Sequence, residues 1–169
     1  MSDPIERAAR SASTLAVVQA MEEALGRASN EMHLHFTKDF RWRGNTGCGV
    51  KNGLAEFRAN WQLPIRAAFT ERVYKTDKFI VDGDWAACFG NLEATHSGTF
   101  MGIPATGKRV SIPYMDFWHV ENGRIKDNPV FVDFASVLMQ LGRDVFQGDG
   151  WEAYDKGERP APKPPGVER

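Results

Sequence analysis

The 169-residue chain is poor in cysteine, nearly neutral in charge and free of long apolar runs, and each shortage removes a class of protein. Its two cysteines, Cys48 and Cys88, lie far apart, with no CxxC and no Cys/His ligand spacing. Neither a disulfide scaffold nor a zinc module is written here, and two free thiols suit an intracellular setting. Lys and Arg number 21 against 22 Asp and Glu, a net charge of −1, and no basic stripe stands out. Neither nucleic acid nor an anionic membrane is therefore an expected partner. No apolar stretch approaches the roughly 20 residues of a membrane span, and the opening "MSDPIERAARS" lacks the apolar core of a signal peptide. The expectation is a cytoplasmic globular protein, long enough for one domain with a substantial core.

What is present begins with helices. Residues 2–26 read as an amphipathic helix with Asp3 as N-cap, Pro4 in the first turn and Glu6 closing a capping box. Leu15, Val18, Glu22 and Leu25 share one side, led into by Ile5, Ala9, Ala12 and Ala16. Residues 30–40 read as a second, short helix, and 41–53 as an irregular, glycine-rich passage. In residues 54–69, Leu54, Phe57, Trp61 and Ile65 fall at helical spacing, with Pro64 a kink or break. From residue 71 the period changes to 2, and strands are separated by turns at "DGD", "GIPATGK" and "ENG". "DFASVLMQLG" reads as a closing helix capped by Asp133. One domain over residues 1–142 and a polar, proline-rich tail over 143–169 complete the reading. Helices followed by consecutive antiparallel strands predict an α+β fold: a cone-shaped curved sheet wrapped around the N-terminal helices, enclosing one pocket.

Three stretches, "THSGTFMGIPATGKRV" (95–110), "VENGRI" (120–125) and "MQLG" (139–142), resemble in order and spacing the SnoaL-like polyketide cyclase family. That family belongs to the superfamily of nuclear transport factor 2 and ketosteroid isomerase. The resemblance implies a cofactor-free enzyme and a homodimer joined through the open sheet face. It also implies an acid/base aspartate on the last strand, but counting from Ile125 that position holds Val130. A pocket histidine of the preceding strand corresponds to Asp116.

On a period-2 strand Asp116 shares a face with Tyr114 and Trp118, while Met115, Phe117 and His119 share the other. A carboxylate between amphipathic aromatics has its pKa raised by desolvation toward the range of a general base. Asp116 is the first catalytic candidate. Asn128, on the face of Val130, and His96, at a strand end, are candidate donors to an enolate-like oxygen. His96 also reads as a structural histidine of the turn. Trp61, Tyr114, Trp118, Val130 and Trp42 are the expected substrate-shaping wall. His33 and His35 converge only on a strand and lack a third ligand, so no metal and no cofactor are expected. The chemistry expected is proton transfer next to a carbonyl, by an isomerase- or lyase-type enzyme acting on a small apolar ligand. The alternative is a non-catalytic binding or protein-interaction module of the same fold.

Overall fold

A computed structural model describes residues 3–27 and 29–166; Ser2, at the start of the expected first helix, and residues 167–169 of the tail lie outside them. Helix α1 spans Pro4–Gly26, with the Asp3 carboxylate accepting from the Ile5 amide at 3.0 Å. Its buried side is Thr14, Val18, Met21 and Ala24, whereas Ile5 is 78% exposed and Ala9, Ala12 and Ala16 face solvent. The expected lead-in stripe is thus outside: the first half of the helix meets the "DGD" turn of residues 82–84 through polar side chains, Arg7 on Asp82 and Ser11, which accepts from the Gly83 amide at 2.8 Å.

The expected helix over 30–40 is a correction. Only Met32–Leu34 form a 3₁₀ turn, and strand β1 runs from Phe36 to Gly44, with β2 at Val50–Asn52. Phe36, Phe40 and Trp42 are buried from β1, and the period was obscured by a register shift between Phe36 and Arg41. Helices α2 (Gly53–Phe57) and α3 (Leu63–Ala68) flank a π-helical turn over Arg58–Gln62. The break therefore precedes Pro64, which sits in the first turn of α3, where its missing N–H costs nothing.

Strands β3 (Phe69–Asp82), β4 (Trp85–His96), β5 (Arg109–Glu121) and β6 (Arg124–Val132) form an antiparallel meander. The β5–β6 turn places Asn122 and Gly123 at φ of 51° and 74°, the left-handed pair that a two-residue hairpin needs. The six strands take the order β2-β1-β6-β5-β4-β3, a curved, unclosed sheet. It is mixed rather than wholly antiparallel, since β1 runs parallel to β6. That parallel contact is made by the segment whose strand character the sequence hid. Helix α4 (Phe134–Gln140) closes the cone, and Asp133 caps it through the Ser136 amide at 2.8 Å. Beyond it the chain forms a short helix α5 (Glu152–Asp155) that buries Ala153, and Arg143 donates to the Met101 carbonyl at 2.7 Å.

Candidate active site

Strand register lines up one row of side chains across the inner face. Cys88 of β4 lies opposite Asp116 of β5, Asp116 opposite Val130 of β6, and Phe79 of β3 opposite Cys88. Asn128 of β6 pairs in turn with Trp42 of β1. The alternation of β5 is as its sequence implies: Tyr114 and Trp118 are buried on either side of a half-buried Asp116, and Met115 is exposed. Trp118 stacks on Phe79 with ring centroids 6.2 Å apart, and the Tyr114 hydroxyl shares a 2.7 Å hydrogen bond with Thr76.

Among the described residues, one side chain, Asn128, hydrogen-bonds to the Asp116 carboxylate. The Asn128 amide donates to its Oδ1 at 3.1 Å and to the Phe117 carbonyl at 2.8 Å. Both N–H groups of Asn128 are committed, so it orients Asp116 and has no donor left for a substrate oxygen. Burial pushes the Asp116 carboxyl up to about 6, with the Asn128 hydrogen bond pulling it down. Burial also raises the Tyr114 phenol to about 12 and lifts the Cys88 thiol well above its ordinary range. Both stay protonated at neutral pH.

One group is absent from the sequence reading of the site. Glu22, half-buried on the packed side of α1, is pushed up to about 7 by burial and then by the charge of Asp116. The signal for it was present, a lone carboxylate in the apolar stripe Leu15, Val18, Glu22, Leu25, but nothing in the sequence said which strand that stripe would meet.

The other expected residues separate into two groups. Trp42 and Trp61 face each other at 4.3 Å and Trp61 stacks on Phe134 at 5.8 Å, an aromatic wall beside Asn128. His96 is not part of this cluster. It lies eight residues along β4 from Cys88, roughly 25 Å at ~3.3 Å per residue, fully buried between Phe69 and Phe100. Its Nδ1 shares a 2.9 Å hydrogen bond with the Thr106 hydroxyl, which ties the β4–β5 connection, and its Nε2 is buried without a partner. The distance takes His96 out of reach of any atom that Asp116 touches. His33 is exposed, and among the described residues no three His, Cys, Asp or Glu side chains gather to hold a metal ion. Asp127, on the opposite face from Asn128, forms a bidentate pair with Arg43 at 2.9 and 2.6 Å.

Two surface clefts lie away from this row. One of about 540 Å³ opens between Asn45, Met115, Phe131 and Phe134, and a second of about 230 Å³ between Asp39, His119 and Lys126. Their size does not make either the site: Met115 and Phe131 of the first belong to the outer face and its carboxylate, Asp133, caps α4, while the carboxylates of the second, Asp39 and Asp127, pair with Lys126 and Arg43. No helix among the described residues is long and apolar enough to cross a membrane.

Solved structures establish the class. A SnoaL-like protein from Jannaschia sp. CCS1 matches with a TM-score of 0.68 at 15% identity, over 86% of this chain and 97% of that one. An NTF2-like protein from Burkholderia pseudomallei K96243 matches at 0.63 and 21% identity, over 77% and 98%. At such identities the likeness shows the fold, an NTF2-like α+β cone. The sequence carries it further: the profile of the SnoaL-like polyketide cyclases matches residues 15–141, and the chain belongs to that family. Nogalonic acid methyl ester cyclase of Streptomyces nogalater is 30% identical over 88 residues, 52% of this chain and 66% of that protein. Aklanonic acid methyl ester cyclase DauD of Streptomyces sp. (strain C5) is 28% identical over 102 residues, 60% and 59%. The chain thus spans less than two thirds of the length of the curated relatives it matches.

Proposed function

We propose that the chain is a cofactor-free enzyme that transfers a proton at a carbon next to a carbonyl, in a cyclisation, isomerisation or dehydration of a small apolar substrate. The observation that carries the reading is Asp116, an aspartate in the middle of an apolar inner row with a single amide donor. A base whose carboxyl titrates near 6 is ionised at neutral pH, yet holds a proton more tightly than an ordinary aspartate. Val130, which the family resemblance puts at the position of the relatives' acid/base, is the cross-strand neighbour of Asp116. Such neighbours have Cβ atoms about 5 Å apart, so the proton carrier would have moved by one strand and still serve the same part of the cavity. Tyr114, Trp118 and Trp61 would shape that cavity, and relatives that act on polyketide methyl esters point to an ester or ketone of similar kind. The outer sheet face would join two copies as a homodimer.

The test is Asp116→Asn, assayed with nogalonic acid methyl ester as the probe. Removing a general base lowers turnover by about 10²–10⁴-fold. Unchanged turnover in a folded variant would take Asp116 out of the mechanism. The alternative, a binding module without turnover, draws on Val130. It predicts that the wild-type chain binds the probe and leaves it unconverted.

A further inference from the structure

We infer that Glu22 is the second catalytic carboxylate of this site, the acid that protonates the substrate's carbonyl oxygen while Asp116 takes a proton from the neighbouring carbon. The inference rests on the function proposed above and names the partner that Asp116 lacks within the sheet. Helix α1 packs over β3, β4, β5 and β6. Val18, Met21 and Leu25 bring its packed side to the inner face, and Glu22 lies among them, half-buried. No side chain among the described residues neutralises it or donates to it, and the one charge that bears on it is Asp116. An unpaired carboxylate on an apolar helix face is a cost to the fold. It is retained here on the helix that covers the row containing Asp116.

The other titratable groups near the pair do not replace it. Cys88 lies beside both carboxylates and Tyr114 on the same strand as Asp116, and both hold their protons at neutral pH. Tyr74 of β3, with Arg72 and Arg66 near it, lies outside the row, opposite Leu92 of β4 and edge-on to Tyr114 at 5.7 Å. Β6 contributes only the neutral Asn128 to this group. Glu22 lies on the packed side of α1 and Asp116 on the inner face that α1 covers; two carboxylates near each other in apolar surroundings cannot both ionise cheaply, so the pair would share one proton.

The step balances with no other reactant. Asp116 takes the proton from carbon, the C–H electron pair becomes the enol double bond, and Glu22 gives its proton to the carbonyl oxygen. The pair still carries one proton and one negative charge, now exchanged. In a cyclisation the enol carbon then bonds to a second carbonyl carbon, whose oxygen takes the proton from Asp116. Glu22 recovers the enol O–H proton, and both groups return to their starting states.

Two measurements on the full chain test this. The first needs no substrate: ¹³C-labelled carboxyl resonances are titrated by NMR in the wild type and in Asp116→Asn. Removing the Asp116 charge should lower the Glu22 midpoint below about 7; an unmoved midpoint overturns the pairing. The second is the pH profile of turnover of nogalonic acid methyl ester. The wild type should show a bell with its maximum between the two carboxyl values. Glu22→Gln should be slowed about a hundredfold and lose the alkaline limb, and Glu22→Asp should restore part of the rate with that limb. A Glu22→Gln profile like the wild type, with Asp116→Asn inactive, removes Glu22 and leaves the proposed function standing. If both variants match the wild type, both readings fall. If the wild type converts none of the probe, the proposed function loses its support and the NMR titration decides the pairing.

Discussion

The two faces of strands β4–β6 differ by a single residue step and by the kind of side chain each puts in the costlier place. On the inner face Cys88, Asp116 and Val130 lie side by side, and on the outer face Phe89, Met115 and Phe131 do the same. The inner row holds a carboxylate in apolar surroundings, which disfavours its charge. The outer row leaves its three large apolar side chains 42%, 48% and 50% exposed. The inner arrangement weakens the fold and the outer one leaves it unchanged, and each fits a proposed use: a raised proton affinity inside, a contact surface for a second copy outside. Exchanging the two rows would give an ordinary half-buried sheet with neither property.

The largest break in this contrast comes from the inner wall. Trp42→Ala removes a side chain only 2% exposed that packs on Trp61 and Phe57. It should cost about 3–5 kcal/mol in urea unfolding. Asp116→Asn comes next and acts with the opposite sign. Because the folded state holds the Asp116 proton more tightly than the unfolded chain, this group's contribution is full below about pH 4. It is lost as pH rises through about 6. The asparagine variant escapes that loss and should be about 3 kcal/mol more stable than wild type at pH 7.5, with no gain at pH 4. Equal gains at both values would show that the ionised carboxylate is not the destabilising feature. Asn128→Ala sharpens the same point: without its amide, the Asp116 midpoint should move above about 6, by about one unit or less. An NMR titration showing a lower midpoint would contradict it.

These inner-face expectations also mark how far the sequence could be read. The meander was legible because β4 and β5 alternate in burial and the flanking turns carry Gly83, Asn122 and Gly123 where left-handed φ is needed. Tyr114, Asp116 and Trp118 could be put on one face by counting alone, and Asn128 apart from Asp127 likewise. Strand β1 was not legible, since "MHLHFTKDF" has neither clear period and its partner β6 lies some 85 residues downstream in a parallel pairing that no local pattern encodes. The gap at His96 has the same origin. Spacing along β4 was known, but only the register of β4 on β5 shows that His96 and Asp116 face different parts of the cone. Glu22 was hidden for a third reason. Helical period gives the buried side of α1, but the strand that side covers is set by how the helix docks.

The smallest effect on the fold, and the sharpest division between the faces, is expected from the outer row. In Met115→Glu and Phe131→Glu the new carboxylates replace side chains about half exposed. Solvent can hydrate them in the isolated chain, so unfolding free energy should change by no more than about 0.5 kcal/mol. Their effect falls on association. Two copies meeting through this face would bring Phe89, Met115 and Phe131 of each out of water, and a charge in the middle of that patch would be desolvated without a partner. Light scattering at micromolar concentration should therefore give a dimer for the wild type and a monomer for the double variant, with Asp116 titrating as before. A double variant that stays dimeric would place the interface elsewhere on the molecule. A monomeric wild type would remove the contact as the reason for the outer row. A shifted Asp116 midpoint on dissociation would mean that the faces are coupled through β5, and that the inner row depends on the outer one being covered.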